Sequence, residues 1–323
     1  MKNADISGPL RLSSAGLTDV GRKRTNNEDA FIAEPELGLY AVADGMGGHA
    51  GGEVAAQMAI EALRSALPSA PDADFVAQPT LANRRRLLEW LVQTVQSINA
   101  AIHTRAQDDF KLRGMGCTLD VALIRGGGVF TAHVGDSRIY ILRSGTVYQL
   151  TEDHTFAQML LANGVLSKEE VAKHPQRNML TRGLGPFPSV QVDSAFFELD
   201  AGDVFLLCSD GLYVEVPEER IAALLTQPPE TATRELIQAG LEAGGRDNMT
   251  AVVFQVMQSP QQQLGIIGAE KTRRALARSS LFAAFTESEL MRVQKIALGR
   301  LVPPGETVVA QGSAVDELYL VME

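Results

Sequence analysis

The sequence predicts an α+β fold with antiparallel pairing, and three observations carry that expectation. Between residues 119 and 150, four short apolar runs follow one another with only tight glycine-bearing turns between them. That spacing suits hairpins rather than parallel βαβ units. A longer segment places Leu87, Leu91, Val95, Ile98 and Ile102 at steps of three and four, as an amphipathic helix does. The composition, 45% hydrophobic and 21% charged over 323 residues, is that of an ordinary globular chain with room for one large domain or two moderate ones.

Taken in order, the first clear strand is 38–43, which ends at Asp44-Gly45. A glycine-rich loop follows (Met46-Gly47-Gly48-His49-Ala50-Gly51-Gly52), and a helical pattern begins at Glu53. Residues 68–79, rich in Pro, Ala and Asp, read as a surface connection ahead of the periodic helix. The strands 119–124, 129–134, 138–143 and 146–150 are separated by Gly126-Gly127-Gly128, Gly135-Asp136-Ser137 and Ser144-Gly145. Residues 155–173 look helical, and 174–188, with three prolines and two glycines, look like an irregular loop. A strand over 203–208 runs into Ser209-Asp210-Gly211, helices are expected near 218–225 and 230–243, and 249–256 is a closing strand. Polar residues 258–263 mark a linker, and no internal repeat is evident.

A net charge of -10 argues against a nucleic-acid binder, which would carry a basic surface, and fits a protein that gathers cations. The only two cysteines, Cys117 and Cys208, sit in apolar or small-residue runs, as in a reducing compartment. The first residues lack the apolar run of a signal peptide, and no stretch reaches the roughly 18 apolar residues of a membrane helix. The expectation is a cytoplasmic protein with no membrane or nucleic-acid partner.

Three apolar strands each deliver an aspartate beside a glycine: Ala43-Asp44-Gly45, Val134-Gly135-Asp136 and Ser209-Asp210-Gly211. Asp247 precedes the closing strand, and Glu28-Asp29 lies near the start. Any one Asp-Gly is an ordinary turn. Several at the ends of core strands are another matter, since two unit charges ~4 Å apart repel by about 4 kcal/mol at an effective dielectric near 20. Bound cations are the natural offset. An all-oxygen donor set without spaced Cys or His suits Mg²⁺ or Mn²⁺, not zinc.

Arg24-Thr25-Asn26-Asn27-Glu28-Asp29 and Ala43-Asp44-Gly45-Met46-Gly47-Gly48-His49 with Gly52-Glu53 resemble the opening motifs of the PPM-type (type 2C) metal-dependent protein phosphatases in their bacterial form. Gly114-Met115-Gly116-Cys117-Thr118, Val134-Gly135-Asp136-Ser137-Arg138, Cys208-Ser209-Asp210-Gly211-Leu212 and Gly245-Arg246-Asp247-Asn248-Met249-Thr250 continue the resemblance in the family's order. It implies a four-layer α/β/β/α sandwich of two antiparallel sheets over 10–257. It also implies hydrolysis of phosphoserine and phosphothreonine on proteins by a water activated between two Mn²⁺ or Mg²⁺ ions, opposing Ser/Thr kinases. By resemblance Asp44 bridges the metals with the Gly45 carbonyl, Asp210 and Asp247 complete the protein ligands of the first ion, and Glu28 serves the second ion, partly through water. Asp136 joins Asp210 at a third position, Arg24 grips the substrate phosphate, and His49 matches the proposed general acid. A silent binding module on the same fold would be expected to lack a metal aspartate, and Asp44, Asp210 and Asp247 are all present. A different two-metal hydrolase, such as a phosphodiesterase, is a third reading.

Cys117 and Tyr213-Val214-Glu215-Val216 depart from the family's usual residues without removing a ligand. Residues 154–185 correspond to its variable flap, where Arg177 and Arg182 are candidates to meet substrate, while His133, inside an apolar strand, reads as a satisfied core group. After a linker at 258–272, residues 273–323 resemble the opening of a cyclic-nucleotide-binding domain (Ala277-Arg278-Ser279-Ser280-Leu281-Phe282, Gly305-Glu306, Gln311-Gly312, Leu318-Tyr319-Leu320-Val321). That implies a partial helix/β-roll. The stretch stops ahead of that family's phosphate-binding cassette, so cyclic-nucleotide binding is not expected of it.

Overall fold

The computed structural model describes residues 10–47, 51–77, 80–171, 174–258, 269–282, 284–286, 289–290, 293, 302, 305–312 and 319–321. In chain order the elements are β1 (Arg11–Asp19), β2 (Asp29–Glu34), β3 (Leu39–Met46), α1 (Gly51–Ala66), α2 (Asp72–Ala77) and α3 (Leu81–Asp108). Next come β4 (Gly116–Cys117), β5 (Leu119–Arg125), β6 (Gly128–Val134), β7 (Arg138–Arg143), β8 (Thr146–Gln149), α4 (Phe156–Ala162) and α5 (Lys168–Val171). The chain continues through β9 (Asp193–Glu198), β10 (Val204–Cys208), α6 (Asp210–Tyr213), α7 (Glu218–Leu224), α8 (Pro229–Ala243), β11 (Met249–Gln258) and α9 (Ala269–Arg278).

Two antiparallel sheets form, ordered β1-β11-β10-β7-β8 and β2-β3-β5-β6-β9, with β4 pairing to β3. The near-continuous apolar runs follow from burial on both faces. In β3, Tyr40 and Val42 point into the layer between the sheets, while Leu39, Ala41 and Ala43 point toward helices α1 and α3. In β11, Val252, Phe254 and Val256 enter the same central layer, and Ala251 and Val253 pack beneath α7 and α8. Tyr40 and Phe205 stack on either side of Phe254, with ring centroids 4.2 and 4.6 Å away, which ties the sheets together. The expected four-layer sandwich is therefore the observed one.

The structure revises several local expectations. Two strands precede the first one expected: β1 reads as polar because it is an edge strand, held by its ladder to β11. The 119–150 meander is split between sheets, β5-β6 in one and β7-β8 in the other. The chain crosses over at Gly135, whose φ of 116° only glycine adopts readily. Strand β9 was not anticipated. The expected surface connection 68–79 contains α2, which drives Phe75 into the core edge-to-face with Phe130 and Phe196. Helix 155–173 breaks at Asn163-Gly164 into α4 and α5, with Gly164 at φ 67°. Helix α9 begins inside the expected linker, its Thr272 hydroxyl donating to the Glu198 carboxylate at 2.9 Å and its Leu276 buried. Among the described residues after α9 there is no strand. Among the described residues no helix is long and apolar enough to cross a membrane.

Candidate metal centre

The aspartates meet at one end of the sandwich because each lies at or beside a strand end there. Asp44 lies near the end of β3, directly across from Asp29 at the start of β2. Asp210 opens α6 immediately after β10, Asp247 precedes β11, and Asp136 sits at the crossing from β6 to β7. The backbone fixes their positions. Thr118 N–H donates to the Asp44 carbonyl at 2.8 Å and its hydroxyl accepts from Asp44 N–H at 2.9 Å. Gly45 N–H donates to the Glu28 carbonyl at 3.1 Å.

The electrostatics are those of an over-charged pocket. Burial, then repulsion from Asp29, Asp210, Asp136 and Asp247, holds the Asp44 carboxyl well above the ordinary carboxylate range. Burial and the neighbouring Asp210 push Asp136 up to about 8. Asp29 rises to about 7 through burial, although the Thr250 and Ser209 hydroxyls donate to its Oδ2 at 2.6 and 2.7 Å. Asp210 is also raised, chiefly by burial and then by Asp247, with a hydrogen bond to Asp44 opposing. Burial likewise raises Glu28, with Arg24 opposing.

Among the described residues, no three acidic, His or Cys side chains close into a cage as they stand. Arg24 Nη2 donates to Asp247 Oδ2 at 2.7 Å, which offsets part of the negative charge. These residues nonetheless fit divalent cations. The donors are all oxygen, they raise one another's pKa, and the buried Asp29 Oδ1 has no partner.

Of the expected site residues, Arg24, Glu28, Asp44, Gly45, Asp136, Asp210 and Asp247 converge here; His49 lies outside the described residues. His133 is a satisfied core group, as expected, bonding Asp120 at 2.7 Å and the Glu152 carbonyl at 3.0 Å. Arg182 Nη1 donates to Asp193 Oδ1 at 2.8 Å, and His154 Nε2 meets the same carboxylate at 3.2 Å, which gives Arg182 a structural role at the root of the flap. His154 in turn accepts from Gly135 N–H at 3.1 Å, beside Asp136.

Sequence reasoning missed what holds the candidate ligands. The departures at Tyr213 and Glu215 tie α6 to the loops of Asp136 and Asp247. The Tyr213 hydroxyl donates to the Asp136 carbonyl at 2.8 Å while its ring lies 3.7 Å beneath the Arg138 guanidinium. Glu215 accepts two bonds from the Arg246 guanidinium, at 2.6 and 3.0 Å, next to Asp247. Ser209, Asn248 and Thr250, polar yet buried beside apolar strands, were the available signal.

Two antiparallel sheets with a buried all-oxygen carboxylate cluster at one end and an arginine beside it define the class of an antiparallel sandwich with a candidate site for hard divalent cations. A family profile described as "Protein phosphatase 2C" matches residues 21–250, and the chain belongs to that family. It is 40% identical over 250 residues to the serine/threonine protein phosphatase PstP of Mycobacterium tuberculosis, a match covering 77% of this chain and 46% of that protein. The chain thus matches about half the length of that relative. It is 36% identical to the serine/threonine phosphatase stp of Listeria innocua, over 74% of this chain and 93% of that one. The crystal structure of the PstP catalytic domain in complex with two manganese ions superimposes with a TM-score of 0.66 at 36% identity, covering 77% of this chain and all of that one.

Proposed function

We propose that this chain removes phosphate from phosphoserine and phosphothreonine on proteins, with Mn²⁺ or Mg²⁺ as cofactor, and so opposes Ser/Thr kinases in cytoplasmic signalling. The observation that carries this reading is the convergence of Asp44, Asp136, Asp210 and Asp247 beside the Arg24 guanidinium at one end of the sandwich. Asp44 and the Gly45 carbonyl, with Asp210, Asp247 and Glu28, would hold two cations, and Asp136 with Asp210 a third. When bound, such ions polarise phosphoryl oxygens and acidify water enough for attack near neutral pH.

The protein's own part is to position and neutralise. Arg24 presents a planar fork suited to phosphate oxygens, and it stands ready beside Asp247, whose negative charge it now compensates. Depth in the sandwich keeps the carboxylates at fixed strand ends, so little reorganisation accompanies substrate arrival. His49 is proposed to protonate the departing Ser or Thr oxygen. The α9 helix and the residues after it are proposed to begin an accessory segment resembling a cyclic-nucleotide-binding domain.

Phosphate release from a phosphothreonine peptide, measured with EDTA, Mg²⁺ or Mn²⁺, tests the reading. Release should require a cation and fall at least ~100-fold in Asp210→Asn, since loss of even an outer-shell partner costs 10–100-fold. No release by folded wild-type protein with either ion would refute it.

A further inference from the structure

Between β1 and β2 runs a connector, residues 20–28, that carries both Arg24 and Glu28 and has no regular secondary structure. It is pinned at its entrance, where Arg22 N–H donates to the Gly245 carbonyl at 2.7 Å. At another contact, one buried side chain uses its whole amide on this segment. Asn248 Oδ1 accepts from Glu28 N–H at 2.8 Å, and Asn248 Nδ2 donates to the Val20 carbonyl at 3.0 Å and to the Asn26 carbonyl at 2.9 Å. Two carbonyls and one N–H as partners fix which end of the amide is oxygen. The Asn248 backbone N–H meanwhile donates to Asp247 Oδ1 at 2.8 Å. One residue therefore grips the connector and a metal-site aspartate together.

We propose that Asn248 is the positioning residue that sets Arg24 and Glu28 against the aspartate cluster, so that phosphate affinity depends on a side chain that touches neither phosphate nor metal. The inference rests on the phosphate-binding role proposed for Arg24. Asn248→Ala removes all three bonds to the connector, which then samples positions in which the guanidinium misses the phosphate. Asn248→Asp keeps an acceptor for Glu28 N–H but sets an oxygen against the Val20 and Asn26 carbonyls, so it should not rescue.

The test measures KM and kcat with p-nitrophenyl phosphate for wild type, Asn248→Ala, Asn248→Asp, Arg24→Ala and the Arg24→Ala/Asn248→Ala double variant. Hydrogen exchange over residues 20–28 is followed alongside. The expected result is a KM raised about tenfold or more by Asn248→Ala, in line with the cost of a small misplacement. Exchange at the Glu28 amide should be faster, and the same substitution should change KM less than ~2-fold when Arg24 is already absent. Equal KM effects in both backgrounds, an unchanged KM with only a lower melting temperature, wild-type KM in Asn248→Asp, or failure of Asn248→Ala and Asn248→Asp to fold would each overturn the inference. Wild-type protein inactive with either cation would instead overturn the phosphatase reading on which it rests.

Discussion

Gly45 and Gly52 approach each other too closely for either to carry a side chain. A Cβ on Gly45 would fall on the carbonyls of Gly52 and Glu28, and one on Gly52 would fall on the Glu28 carboxylate. The requirement here is close approach of backbones. Gly45→Ala should push the start of α1 away from β3 and displace Glu28, with at least a ~10-fold loss of phosphate release, checked by steady-state kinetics on folded protein. Asp193 gives a prediction of a different kind. The hydrogen bond from His154, aided by Arg182, holds its carboxyl down at about 2. A depressed carboxyl stabilises the fold above its unfolded value of ~3.9 and loses that contribution as pH falls toward the folded value. The melting-temperature gap between wild type and Asp193→Asn should therefore be constant above about pH 4 and shrink below it. A gap independent of pH down to 3 would contradict the assignment.

At the scale of elements, α2 and α6 do more than their lengths suggest. The six residues of α2 plug the helix-facing side of one sheet through Phe75, which is fully buried against Phe130 and Phe196 at ring distances of 5.0 and 5.9 Å. Phe75→Ala should cost about 3–5 kcal/mol, read as a lower denaturation midpoint, with activity per folded molecule retained. The single turn of α6 supplies Asp210 and reaches the Asp136 loop through Tyr213, while Glu215 just beyond it reaches the Asp247 loop through Arg246. Strand β9 likewise has two clients: Asp193 at its start meets the flap, and Glu198 at its end meets α9.

For the whole molecule, the sandwich concentrates negative charge at one end, and burial makes that charge costly. Asp29, Asp44, Asp136 and Asp210 are all shifted toward their protonated forms. A cation that binds only the folded state should relieve this. At a hundredfold excess over Kd, one site contributes about 2.7 kcal/mol, or a rise of roughly 5–10 °C for a domain this size. Differential scanning calorimetry with Mn²⁺ should show that rise, and Asp44→Asn should remove most of it. An equal rise in the variant would place the ions elsewhere.

The sequence by itself determined the candidate ligands and the class of fold. Aspartates beside glycines at the ends of apolar runs are local facts, and the steps of three and four in α3 are set by the helix itself. Tertiary structure alone decided which strand went to which sheet, since β6 and β7 are adjacent in sequence yet part at Gly135. It also decided that a polar strand such as β1 would pair with β11, that a Pro/Ala-rich stretch would hide Phe75, and that Asn248 would reach back across the chain to Asn26. The physical reason is common to all of these. A hydrogen bond or buried ring draws its energy from a partner far away in the chain, and short-range periodicity carries no information about that partner.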